Sequence, residues 1–139
     1  MISLIIGNKG SGKTKHLLQL IDEALEKTDG NVVCIEKQPK LRYNVTYKAR
    51  LINTDRFGVS GCDAFYGFLS GIIASDHDIT EIFVDATLKI VGKDDFEAFA
   101  DFLQRLYELS RESEVHFVLT VSASEEEIPK RVFDFAKKI

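Results

Sequence analysis

The sequence predicts a three-layer α/β domain: a mainly parallel sheet of four to five strands, flanked by helices, in a single domain over residues 1–139. Three observations predict it. Short apolar runs alternate with amphipathic helical segments along the chain, and the runs are nearly continuous, as buried parallel strands are. A length of 139 residues, with 45% hydrophobic and 29% charged side chains, suits one hydrophobic core.

Each element has its own signal. Ile2 to Ile6 is an apolar run closed by Gly7 and reads as a buried strand. Leu17, Leu18, Ile21, Ala24 and Leu25 recur at three- and four-residue spacing, which predicts a helix over Lys13 to Glu26, stopped around Gly30. Val32 to Glu36 reads as the second strand. Pro39 opens an irregular stretch to Ser60, in which "RYNVTY" and "ARLIN" pair as a hairpin or extend the sheet edge. Phe65, Phe68, Leu69, Ile72 and Ile73 mark one face of a helix beginning near Asp63. Ile82 to Val84 forms a third core strand closed by Asp85. Asp94 and Asp95 cap a long helix whose Phe96, Phe99, Phe102, Leu103 and Leu106 line one face. Val115 to Val121 is the fourth core strand. Beyond the polar "SASEEEI", Pro129 is placed to start a last short helix containing Val132, Phe133 and Ala136.

Charge and cysteine content narrow the function classes. A net charge of −4 argues against a protein that binds nucleic acid by general phosphate attraction, although a local basic patch stays open. Cys34 and Cys62 fit neither a disulfide framework nor a paired-thiolate zinc site, which points to a reducing, cytoplasmic setting. No apolar run approaches the roughly 20 residues that span a bilayer. "MISLII" is too short for a signal segment and reads as structure.

The chemistry lies between the first strand and the first helix. "GNKGSGKT", from Gly7 through Asn8, Lys9, Gly10, Ser11, Gly12 and Lys13 to Thr14, matches G-x-x-x-x-G-K-[ST]. The chain's nine Gly, twelve Lys and sixteen Ser or Thr would generate about 0.005 such octapeptides by chance, so the match is specific. Glycines let the backbone turn tightly and aim N–H groups inward, and the following helix adds its positive end, so a polyphosphate meets many donors. Lys13 adds a cation at the β and γ phosphates, and Thr14 offers a hydroxyl to Mg²⁺.

These residues resemble the Walker A element of the P-loop NTPase superfamily. In the same resemblance "EIFVDA" is similar to a Walker B strand, with Asp85 ordering a water on Mg²⁺. Many such ATPases place a glutamate directly after that aspartate, where this chain has Ala86. The RecA-like branch instead carries its glutamate at the end of the strand after the P-loop helix, which implies Glu36 as the base that activates water. Thr120, near the end of the fourth strand, is the implied γ-phosphate sensor if that strand lies beside the P-loop strand. The chain is also similar to a group of short bacterial ATP-binding proteins, some labelled by analogy with twitching-motility ATPases, but it is far shorter than a motility motor.

The expected function is therefore that of an ATP-binding protein, an Mg²⁺-dependent ATPase with modest intrinsic turnover. A non-enzymatic alternative is a nucleotide-gated interaction module, in which phosphate binding orders a loop within residues 37–60. "LRYNVTY" faintly resembles type II thymidine kinases, which raises a nucleoside or small-molecule kinase, but the acidic pair and zinc-binding cysteines of that family are missing. Asp55 to Gly58 spells the D-x-x-G of a GTPase, a pattern expected about 0.7 times by chance here, and no N-K-x-D accompanies it. Arg42, Arg50, Arg56 and Arg131 are candidate phosphate fingers. RecA-like members assemble so that a neighbour supplies such a finger, which makes a homo-oligomer or another protein the expected partner beside the nucleoside triphosphate.

Overall fold

The computed structural model describes residues 1–139. One six-stranded sheet runs through it, built from β1 (Ile2–Gly7), β2 (Asn31–Glu36), β3 (Arg50–Asn53), β4 (Ile79–Asp85), β5 (His116–Ser122) and β6 (Ala136–Lys138). The spatial order is β3-β2-β4-β5-β1-β6 and every neighbouring pair is parallel. Four helices accompany it: α1 (Lys13–Lys27), α2 (Cys62–Ser75), α3 (Thr87–Val91) and α4 (Phe96–Ser113).

Side chains alternate across the strands, and the alternation builds two cores. Ile5, Val32, Cys34, Phe83 and Val118 pack with Leu17, Ile21 and Ala24 of α1 on one face. Ile2, Leu4, Val33, Ile35, Ile82, Val84, Phe117 and Leu119 pack with α2, α3 and α4 on the other. Phe65, Phe99 and Phe102 are at most 1% exposed, and the Phe65 and Phe102 rings stack with centroids 5.9 Å apart. Burying one such side chain contributes roughly 1.5–3 kcal/mol, so this second face carries much of the apolar stabilisation.

One side-chain cap stands where the sequence placed it. The Asp95 side chain accepts from the Ala98 amide at 2.9 Å and starts α4. Three places differ from the sequence-based expectation. "ARLIN" forms no hairpin with "RYNVTY"; β3 extends the edge in parallel with β2, and residues 41–49 pack Leu41 and Ala49 against the α1 core. The helix expected after Pro129 is a short 3₁₀ turn over Lys130–Asp134, and Ala136 belongs to β6, paired with Ile2. The loop after Asp85 contains α3, whose five residues are too few to show a period. No helix is long and apolar enough to cross a membrane.

Candidate functional site

Because all strands are parallel, their carboxyl ends share one edge of the sheet. The connection leaving β1 passes through α1 on one face, and the connection leaving β4 passes through α3 and α4 on the other. Such a divergence opens a crevice at the strand ends. Here it is a cleft of about 870 Å³.

The β1–α1 loop forms one wall. A Cβ on Gly7 would collide with Ser11 Oγ, and Gly12 adopts φ 87° and ψ 17°, a left-handed conformation that side chains disfavour. The turn leaves the amides of Gly10, Gly12, Lys13 and Thr14 without a backbone or side-chain acceptor, while Ser11 N–H bonds Asn8 C=O at 3.1 Å. Those free donors sit at the positive end of a 15-residue helix. Lys13 is 9% exposed and its ammonium donates to Asn8 C=O at 3.0 Å. Burial pushes the pKa of that ammonium below its ordinary value; Asp85 opposes the shift and Lys89 adds to it.

Strand parity brings the acidic residues to the same place. Cys34 and Phe83 face α1, so Glu36 and Asp85, two residues further along, face it too, and the two are directly paired across β2 and β4. Thr14 Oγ1 donates to Asp85 Oδ2 at 3.1 Å. Thr120 Oγ1 donates to Asp85 Oδ1 at 2.6 Å. Glu36 is 3% exposed and its carboxylate accepts from the amides of Lys40 at 3.0 Å and Leu41 at 3.2 Å. Burial raises the pKa of Glu36 above its ordinary value; the two amides work against that and the Asp85 charge reinforces it.

Of the residues singled out in the sequence, Lys9, Gly10, Gly12, Lys13, Thr14, Glu36 and Asp85 line the cleft. Gly7, Asn8 and Ser11 shape the loop behind them. Thr120 does not line the cleft: it is fully buried with its hydroxyl spent on Asp85, so it orients that carboxylate instead of meeting a phosphate. Ser122, two residues on and paired with Gly7, takes the place on the cleft wall.

The residues that sequence reasoning missed are mostly cations. Lys37, Lys40, Lys89 and Lys93 join Lys9, Lys13 and Lys15 around the cleft, seven lysines against the three carboxylates Glu36, Asp85 and Asp94. The cleft lining is therefore locally basic inside a chain of net charge −4. None of the arginine finger candidates lines it. Arg131 is held by Glu97 and Asp101, and Arg42 lies over Tyr43. Asp55 to Gly58 closes a 3₁₀ turn in which Asp55 pairs with Lys37 at 3.0 Å, which accounts for the D-x-x-G spelling without a nucleotide.

A magnesium ion fits the donor set in a restricted way. No three His, Cys, Asp or Glu side chains converge to hold a metal. Thr14 and Asp85 together offer two hard oxygen donors, as Mg²⁺ prefers, with the rest of its shell left for phosphate and water. No protein-family model and no curated protein matches this chain.

Proposed function

We propose that the cleft binds a nucleoside triphosphate, taken to be ATP, together with Mg²⁺, and that the protein is an ATPase of RecA-like P-loop type with modest intrinsic turnover. The observation that carries this reading is the meeting of Thr14 and Asp85, 71 positions apart, at 3.1 Å beside Lys13 and a row of free amides. The strand order supports it as well, because β5 lies beside the strand bearing the P-loop, the condition that the RecA-like resemblance set.

In this reading the amides of Gly10, Gly12, Lys13 and Thr14, with the Lys13 ammonium, hold the β and γ phosphates. The cation, when bound, neutralises charge shared by the β and γ oxygens. Thr14 and Asp85 are the residues that would hold the ion, and Thr120 keeps Asp85 in place. Glu36 accepts the proton of the attacking water as its oxygen bonds the γ-phosphorus and the bond to the bridging oxygen breaks, releasing ADP and phosphate. Two features keep turnover modest. The Glu36 carboxylate is already engaged by Lys40 and Leu41, and no arginine reaches the cleft to balance the charge of the transition state.

The engagement of Glu36 by the 37–41 loop also favours a second reading, a nucleotide-gated module in which cleft occupancy repositions that loop. Steady-state phosphate release separates the two. The ATPase reading expects slow turnover in the wild type, loss of nucleotide binding in Lys13→Ala, and retained binding without turnover in Glu36→Gln. Tight ATP binding with no phosphate release assigns the module; normal turnover in Glu36→Gln removes Glu36 as the base.

A further inference from the structure

The acidic balance of the chain conceals a tract of opposite sign. From Lys37 to Thr54 the chain carries Lys37, Lys40, Arg42, Lys48 and Arg50 and no aspartate or glutamate, which leaves thirteen basic against twenty-two acidic residues elsewhere. The tract is anchored, not loose. Leu41 and Ala49 are 6% and 5% exposed in the α1-side core, and the Val45 amide bonds Leu41 C=O at 3.0 Å.

That anchoring holds two aromatic rings out in solvent. Tyr43 is 86% and Tyr47 92% exposed, more than any other large apolar side chain in the molecule. Rings of this size normally bury at least one face. The Arg42 guanidinium stands 4.9 Å from the Tyr43 ring centre. Beside Tyr47 a groove of about 540 Å³ runs past Lys48 and Arg50 to the starts of β2 and β4. Its one acidic lining residue, Asp76, is taken up by the Asn31 side chain at 2.8 Å and the Asp78 amide at 2.9 Å.

Cations that follow a backbone, interleaved with aromatic rings that present free faces, match the chemistry of an unpaired polynucleotide. A duplex hides its base faces and is read by a helix or ribbon in a groove, and the tract has no helix to offer. An acidic peptide would use the cations but offers no regular succession of flat π-faces to stack on the rings. We propose that Lys37 to Thr54 is a surface for single-stranded nucleic acid, on which Tyr43 and Tyr47 stack bases while Lys40, Arg42, Lys48 and Arg50 meet phosphates.

The test uses the full chain, and the substituted residues Tyr43, Tyr47, Arg42 and Arg50 all lie outside the cleft, so their effects are distinguishable from oligonucleotide binding there and from failure of the function proposed for it. Fluorescence anisotropy is followed with labelled 20-nucleotide oligo-dT and oligo-U, the two arms telling DNA from RNA. Saturable binding is expected, with a log–log salt slope of about −3 for four phosphate contacts. Tyr43→Ala and Tyr47→Ala each weaken binding by about tenfold at unchanged slope, and Arg42→Gln and Arg50→Gln each flatten the slope by about 0.7. Melting curves verify that these exposed substitutions leave the fold intact. The proposal is overturned by absent binding at 50 mM salt, by equal affinity for a 20-base-pair duplex, or by tyrosine variants that bind as wild type while poly-glutamate or phosphatidylserine vesicles compete equally, the last outcome reassigning the patch to an acidic protein or a membrane surface.

Discussion

Thr120 donates its hydroxyl to Asp85 Oδ1 at 2.6 Å, and this bond, made from a fully buried side chain, sets which way the cleft carboxylate faces. With Oδ1 so occupied, Oδ2 is the oxygen turned to Thr14. Replacing Thr120 by Val keeps the shape and removes the donor, leaving a carboxylate oxygen unmatched. The expected loss is about 1–3 kcal/mol in urea denaturation, with a higher Mg²⁺ requirement for ATP binding. Thr120→Ser should recover both. A Thr120→Val protein with unaltered stability and Mg²⁺ dependence would refute the orienting role.

Glu36 links stability to pH in the direction opposite to most carboxylates. Its folded pKa is raised above the ordinary 4.5, first by burial, so its contribution is fully present below pH 4.5 and is lost as pH rises through the folded value. Glu36→Gln cannot ionise. Its melting temperature should exceed that of the wild type at pH 8, and the gap should close towards pH 4.5. If Glu36 is the base, wild-type turnover rises along an acid limb centred above 4.5, and the same variant lacks it.

His116 carries the complementary prediction. It shares a hydrogen bond of 2.9 Å with Ser3, and burial, followed by the N-terminal ammonium, pushes its pKa below 6.5. Its contribution is present above pH 6.5 and is lost as pH falls through the lower folded value. The denaturation midpoint of the wild type should therefore fall relative to that of His116→Gln as the pH drops from 7 to 5. Glu81, paired opposite His116 and raised by burial, shifts stability the other way but is common to both proteins.

How much of this was legible in the sequence depends on whether a feature is local. Gly7 to Thr14 is eight contiguous residues, and the turn they form follows from their own backbone preferences. The apolar runs around Ile5, Val33, Phe83 and Val118 announce buried strands because both faces are covered. Burial of Leu41 and Ala49 has no periodic signal, since it comes from α1 packing across an irregular segment. β6 has three residues and only Ala136 is buried, so its strand character exists only through pairing with β1. The part played by Thr120 required knowing that β5 lies beside β4, and the lysine lining required knowing where α3 folds. Glu36 and Asp85 were readable as candidates, but their direct pairing was not.

Calorimetric titration of the wild type and Lys13→Ala with ATP in Mg²⁺ tests the central claim most directly. Saturable binding with one site per chain, weakened at least tenfold by Lys13→Ala in a protein that melts normally, is the predicted result. Absence of ATP binding by the wild type, or equal affinity in Lys13→Ala, would contradict it.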